Sequence, residues 1–309
     1  MCRAVAFLIV TLGLVFMSKP STADDTNSSP AKGRFIPAWS VLCGAGTDVA
    51  LGCDAVRART IVDASAYPWR AIGRVNFAGY RKRMHCAGAL IGERHVLTAA
   101  HCLYDAVKRK WLRPQSIHFL AGYQRGTHVA HSTAVRYTVS SASDIESNRY
   151  KHDFRDDWAL LELQDPIGIE TGYLKLLDLD NVELNRTLQS GWSVAMAGYP
   201  KLRDQVLSVD MDCGSAQLST AQEPSEGGVL THRCAGMQGD SGGPTLLFRD
   251  GEATIIAVNS GVVIHGGQLI QVSTPVGVFF EAMKELLDRD PSSDFRGDPE
   301  QQESKQSDE

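Results

Sequence analysis

Four features are scarce in this 309-residue sequence, and each scarcity excludes a class of protein. Charge is nearly balanced, with a formal net charge of −5 that comes partly from the C-terminal tail, so neither nucleic acid nor an anionic membrane is implied as a partner. Long apolar runs are missing: Ala4 to Met17 is short for a bilayer span and is followed by polar Asp24 to Pro30 rather than by a stop-transfer pattern. The cysteines are dispersed and lack the paired short spacings of a metal site, so no metal and no cofactor is expected. Regular alternation of strand and helix is also absent, which argues against an α/β architecture.

What is present begins with Arg3, the apolar run and the small residues Ser21-Thr22-Ala23, which together read as a secretory signal peptide over residues 1–23. The expected location is therefore secreted or periplasmic, with no membrane contact after signal removal. Loss of the signal takes Cys2 with it and leaves six of the seven cysteines, an even number suited to disulfides in an oxidising compartment. Six cysteines allow fifteen pairings. Residues 24–60 read as an N-terminal extension or pro-segment. Residues 288–309 are rich in Ser, Asp, Glu and Gln and too poor in apolar groups to offset the entropy of ordering, so a disordered polar tail is expected.

Between these ends, short runs rich in Val, Ile, Leu and aromatics recur, separated by Gly, Pro, Asn or charged clusters. They fall at 72–77, 89–91, 96–98, 117–121, 135–139 and 158–163, then at 193–197, 206–211, 245–248, 254–258, 262–264 and 269–272. Such spacing indicates an all-β sandwich or barrel. After Thr274, a suitable N-cap, and Pro275, at a favoured first helical position, Phe279, Met283, Leu286 and Leu287 recur at helical spacing and indicate a C-terminal helix.

The chemistry concentrates in Gly239-Asp240-Ser241-Gly242-Gly243-Pro244, a glycine-rich turn around one serine that suits a backbone N–H pair facing a reacting oxygen. A serine needs a base and a group to orient that base. Thr98-Ala99-Ala100-His101-Cys102 supplies a histidine just after an apolar strand, and Asp157-Trp158-Ala159-Leu160-Leu161 sets a carboxylate at the head of another. Asp153 and Asp156 are neighbours of Asp157. Asp157 is preferred because it directly precedes the apolar strand that would bury it, and Asp156 remains the alternative.

In the order His, Asp, Ser, these three motifs make the chain resemble the chymotrypsin/trypsin-fold serine proteases over residues 61–287. The segments Tyr67-Pro68-Trp69, Cys86-Ala87-Gly88-Ala89-Leu90-Ile91-Gly92 and His232-Arg233-Cys234 are similar to the secreted bacterial glutamyl-endopeptidase-like branch, whereas Met237 stands where trypsins carry a cysteine. The resemblance implies two antiparallel six-stranded β-barrels, joined near 166–189, with the active site in their shared cleft. It implies a secreted serine endopeptidase acting on protein or peptide substrates, with His101, Asp157 and Ser241 catalytic and the N–H groups of Gly239 and Ser241 forming the oxyanion hole. It also implies disulfides between Cys86 and Cys102 and between Cys213 and Cys234, which leaves Cys43 and Cys53. Oligomeric state is not legible.

For the substrate pocket the resemblance points to Ala235, Gly236, Asn259, Ser260 and Gly261. Ala235 stands where trypsins place an aspartate, while Gly236 and Asn259 stand where glutamyl endopeptidases place a threonine and a histidine. An open, small-walled, neutral pocket with broad selection is the expectation. Two other readings stay open. Gly239-x-Ser241-x-Gly243 also fits the nucleophile elbow of α/β-hydrolases, with Asp250 and His265 following it. The fold could equally serve a catalytically silent binding or regulatory protein. Finally, Arg57-Ala58-Arg59 precedes Thr60-Ile61-Val62, and the resemblance to trypsin-like proteases implies that a cut before the Ile-Val pair would free an amine to pair with Asp240, although a cut after Arg59 leaves Thr60 rather than Ile61 at the terminus. The alternative is that Asp240 is satisfied locally and the arginines lie in an exposed loop.

Overall fold

The computed structural model describes residues 43–44, 47–48, 52–79, 82–219 and 228–288. The expected signal peptide, most of the 24–60 segment and the tail after Asp288 lie outside the described residues.

Six strands, β1 (Ile72–Gly79), β2 (Lys82–Leu90), β3 (His95–Thr98), β4 (Ile117–Ala121), β5 (Ala130–Val139) and β6 (Ala159–Leu163), close into a barrel in the order β5-β6-β3-β2-β1-β4. Ile72, Leu90, Leu97, Ile117, Phe119, Leu161 and Leu163 are fully buried in its core. The alternating burial of β4 matches the period of a strand with one face inward. By contrast, β6 is buried at nearly every position, as its continuous Ala-Leu-Leu run requires between two neighbours.

The second half is built on a larger sheet. Strands β7 (Ser193–Gly198), β8 (Ser208–Asp210), β9 (Ala216–Ser219), β10 (Val229–His232), β11 (Pro244–Arg249), β12 (Glu252–His265) and β13 (Gln268–Pro275) form a nine-stranded sheet in the order β9-β10-β13-β12-β11-β7-β8, extended by Thr60–Ile61 at the β8 edge. Lys175–Leu176 adds the ninth strand, parallel to β12. The extra strands come from segments too short or too polar to read as strands. The runs at 254–258 and 262–264 are one strand, β12, interrupted by a register shift between Asn259 and Gly261. A β-bulge at a glycine produces the same break in hydrophobic pattern as a turn.

A helix at Asn181–Gln189, opened by a capping box between Asp180 and Glu183, occupies the end of the stretch expected to join the two halves. The C-terminal helix Val276–Asp288 buries Phe279, Met283 and Leu287, and Phe279 packs at 5.6 Å from the Trp158 ring. Thr274 does not cap it. That residue lies in β13, and its hydroxyl donates to the Phe154 carbonyl at 2.7 Å.

Disulfides join Cys86 to Cys102 and Cys213 to Cys234. Cys53 is also disulfide-bonded, and the side chain of its expected partner, Cys43, lies outside the described residues. Cys53 opens a helix, Cys53–Ala58, that leads directly into Thr60–Ile61 of the second sheet. The end of the extension is thus built into the body. Opening Cys86–Cys102 by replacing both cysteines with serine should cost about 2–5 kcal/mol, the usual range for a native bridge in a secreted domain. Urea denaturation of the oxidised protein and the variant measures this difference.

Within the second sheet, His232 is buried. Its Nε2 lies 2.9 Å from Ser273 Oγ, which is itself 3.0 Å from Thr245 Oγ1. Burial pushes the imidazole pKa down to about 3. An unfolded histidine takes a proton near its ordinary 6.5 while the folded one does not, so stability is present above 6.5 and is lost as pH falls toward 3. The slope from this single group is about 1.4 kcal/mol per pH unit. His232→Gln should remove one proton's worth of that slope, as measured by denaturant unfolding of both proteins from pH 7 to pH 4.

Candidate functional site

His101 sits in the 3-10 turn Ala100–Leu103 immediately after β3, and Asp157 sits two residues before β6. Because β3 and β6 pair through Ala159 and Thr98, these two flanking positions are brought side by side. Asp157 Oδ2 accepts from His101 Nδ1 at 2.6 Å, and Oδ1 accepts from the His101 backbone N–H at 2.8 Å. Ser260 donates its hydroxyl to Asp157 Oδ2 as well. The carboxylate is 1% exposed, whereas the imidazole is about a quarter open to solvent, 26%.

This arrangement moves both pKa values apart. Burial pushes His101 down, but the charge of Asp157 and its hydrogen bond push it up, with a net rise above the ordinary value. Burial pushes Asp157 up, and the His101 charge together with bonds from His101 and Ser260 pull it below the ordinary carboxylate range. The neighbours are used elsewhere: Asp156 accepts from Ser140 Oγ at 2.9 Å, and Asp153 holds Arg155 at 2.7 Å.

Ser241 reaches this pair from the second sheet through its backbone. Its carbonyl accepts from Ala87 N at 2.8 Å, and Ala87 follows the cysteine that is bridged to Cys102 beside His101. Cys102 Sγ lies 3.8 Å from both the Ser241 carbonyl and His101 Nε2. One disulfide therefore sits between the histidine turn and the serine turn. Among the described contacts no hydrogen bond joins Ser241 Oγ to His101, and in ligand-free sites such bonds are often longer than in the working complex.

The serine turn depends on two glycines. Gly239 has φ +100° and Gly242 φ +79°, in the left-handed region. A Cβ on Gly239 would overlap the Tyr199 carbonyl and the His85 ring, and one on Gly242 would overlap Thr98 Oγ1. Asp240 N donates to Met237 O and Gly243 N to Asp240 O, at 3.0 and 2.9 Å. Among the described contacts neither Gly239 N nor Ser241 N donates to a protein acceptor.

Asp240 is fully buried, and its partner is Arg59. Nη1 lies 2.8 Å from Oδ2, and both side chains are 0% exposed. Arg59 is therefore not in an exposed loop, contrary to one of the two alternatives left open above, and Asp240 carries its counter-charge in the uncut chain. Nothing local in the sequence distinguishes this arginine from Arg57, which pairs with exposed Asp54.

Of the residues expected in the pocket, Asn259 and Ser260 are buried, while Ala235, Gly236 and Gly261 are partly exposed. Gly236 faces buried Gln271, whose carboxamide occupies the space a Cβ would take. The Ser260 hydroxyl is committed to Asp157, since the bulge at Asn259–Gly261 turns it toward the carboxylate rather than into the pocket. Asn259 is buried, with its backbone bridging Gly242 and Gly243 at 2.8 and 2.9 Å. Gly261 lies against the Phe154 ring. Gln271 and Phe154 were not legible as neighbours of these glycines, being far from them in sequence. Asp250 and His265 both lie exposed at hairpin turns, away from Ser241. Two groups, Cys86-His101-Cys102 and Cys213-His232-Cys234, have ligand atoms close enough for a metal, but all four sulfurs are bound in disulfides.

Comparison with known proteins agrees with this geometry. The chain is 28% identical over 206 residues to the human (Homo sapiens) complement C1r subcomponent-like protein, covering 59% of this chain and 39% of that protein. It is 25% identical over 142 residues to the glutamyl endopeptidase of Bacillus licheniformis, covering 45% of this chain and 39% of that one. The chain thus spans well under two thirds of the length of these relatives. Among solved structures it is similar to a Glu endopeptidase in complex with MPD, with a TM-score of 0.57 and 19% identity over 74% of this chain and 95% of that one, a likeness of fold. The family model described as Trypsin matches residues 60–283, most of the ordered body, and the chain belongs to the trypsin family.

Proposed function

We propose that the chain is a secreted serine endopeptidase that cleaves peptide bonds by two-step acyl transfer. The observation that carries this reading is the buried Asp157 carboxylate holding His101 twice, through its backbone N–H and through Nδ1. With Nδ1–H committed to Asp157, Nε2 is the nitrogen left to act as base. His101 takes the proton of the Ser241 hydroxyl as the oxygen attacks the peptide carbonyl, and the developing imidazolium is stabilised by Asp157. The oxyanion is met by the N–H groups of Gly239 and Ser241. His101 then protonates the leaving amine, and water repeats the sequence on the acyl-enzyme. Disulfides in the body support an oxidising compartment, and no helix among the described residues is long and apolar enough to cross a membrane.

Ser241→Ala should keep the wild-type Tm, because it removes one hydroxyl from a partly exposed turn, and should abolish covalent labelling by a fluorophosphonate together with peptide hydrolysis, a loss of about a thousandfold or more. Labelling detected by intact-protein mass spectrometry tests this. A folded wild type inert to fluorophosphonates and to every ester and peptide would instead mark a silent, protease-fold binding protein.

For specificity, the residues at the pocket base, Ala235, Gly236 and Gln271, are uncharged, and the Gln271 amide Nε2 has no partner among the described residues. Neutral side chains before the scissile bond are expected, with broad selection. Cleavage rates for matched peptides ending in Glu, Arg, Leu and Ala should differ by less than about a hundredfold, or about 2.7 kcal/mol of transition-state stabilisation. A larger preference for Glu or Arg would mean that a charge from elsewhere reaches the pocket.

A further inference from the structure

The residue preceding Ser241 is a carboxylate sealed from water, and a buried charge of this kind persists only if a partner is fixed beside it. Asp240 Oδ2 accepts from Met237 N at 2.9 Å and from Arg59 Nη1 at 2.8 Å. Both terminal nitrogens make further contacts, while Nε has no hydrogen-bond partner among the described residues. Nη1 also reaches the Ala235 carbonyl at 3.1 Å, and Nη2 donates to the Ser208 carbonyl. One planar fork thus ties together the carboxylate, the segment before the serine turn and strand β8.

The backbone carrying Arg59 is held as firmly. Arg203 Nη1 donates to the Arg59 carbonyl at 2.8 Å, and Nη2 donates to the Arg57 carbonyl. Thr60 and Ile61 pair with Val209 and Ser208, and Val62 N donates to Leu207 O at 3.3 Å. Ile61, by contrast, is 45% exposed. The cation reaching Asp240 is therefore a side chain of the continuous chain, not an amine at Ile61.

We propose that Arg59 is a positioning residue for the oxyanion-binding turn. Its guanidinium fixes Asp240, and Asp240 fixes the orientation of the flanking Gly239 and Ser241 N–H groups, so that the site is assembled while the Arg59–Thr60 bond is intact. Gly239, at φ +100°, is the soft point through which the turn rotates when that anchor is lost. Processing elsewhere in the N-terminal segment is compatible with this role so long as Arg59 stays on the chain. The proposal rests on Ser241 being the nucleophile.

The test uses the full chain with an uncut Arg59–Thr60 bond, verified by mass spectrometry. Uncut wild type should label with a fluorophosphonate. Arg59→Ala, folded by near-ultraviolet circular dichroism, should lose about a hundredfold in ester-hydrolysis kcat with little change in KM, as expected when oxyanion donors are misaligned. Added methylguanidinium should restore at least about tenfold, and sodium chloride of equal ionic strength should not, because only a guanidinium refits the fork. Where Arg59→Ala does not fold, Arg59→Met, which retains the length of the stem, should show the same loss of kcat. A folded variant within about threefold of wild type overturns the proposal, given the size of the effect expected for such donors. So does a wild type that labels only after cleavage at Arg59. Wild type that is inert both cut and uncut overturns the Ser241 reading itself, which is a separate failure.

Discussion

The rest of the site depends on one buried carboxylate. Asp157 is almost wholly removed from water, and a carboxylate in that position is tolerated only when its oxygens are filled. They are filled from two directions: by the His101 turn at the end of β3, and by Ser260 at the bulge of β12. The requirement to satisfy this charge thus joins a loop of the closed barrel to a strand of the nine-stranded sheet. Thr274 reinforces the junction by donating to Phe154 O, three residues before Asp157. A geometry useful for proton transfer is at the same time the geometry that a buried charge demands.

Asp240 presents the same problem but is met at Oδ2 alone, since Oδ1 has no partner among the described residues, and the two sites differ in their partners' chemistry. The partner of Asp157 is an imidazole, partly open to solvent, which can gain and lose a proton near neutral pH. The partner of Asp240 is a guanidinium with no solvent exposure, which cannot be deprotonated in a protein. Burial lifts the Asp240 carboxyl above its ordinary range despite Arg59, whereas at Asp157 burial is outweighed by the charge and hydrogen bonds of His101, which take that carboxyl below it.

Much of this was legible in the sequence where the signal was local. The barrel strands at 72–77, 96–98 and 117–121 follow from apolar runs bounded by turn residues, and Asp157 was distinguishable from Asp156 because burial is dictated by the adjoining Trp-Ala-Leu-Leu run. What escaped depended on partners. Strand Thr60–Ile61 has two residues and no pattern of its own, and it exists because the β8 edge offers hydrogen bonds. Short segments such as Lys175–Leu176 likewise extend the sheet of the second half beyond the runs legible in the sequence. Thr274 has the composition of a cap, yet a carbonyl 120 residues away claims its hydroxyl. Arg59 and Arg57 stand two residues apart in the same run, one sealed and one at the surface, and only the fold separates them.

The pocket makes the same point about function. Reading Ala235, Gly236 and Asn259 against the residues expected there describes one wall, the wall that is near the serine in sequence. In the pocket proposed above the opposite wall comes from β13, where the Gln271 carboxamide occupies the space a Cβ on Gly236 would take, so a larger residue at 236 requires that side chain to move. The glycine is therefore not evidence of open space. It is the complement of a buried glutamine, and in the pocket proposed above the two form the base. An uncharged amide with an unfilled donor at that depth rewards an acceptor or a small neutral group and gives no counter-charge to an arginine or lysine, since leaving a buried charge unpaired costs more than a lost hydrogen bond. In the pocket proposed above, selectivity thus rests on a pair that is 35 residues apart in sequence and in contact in space.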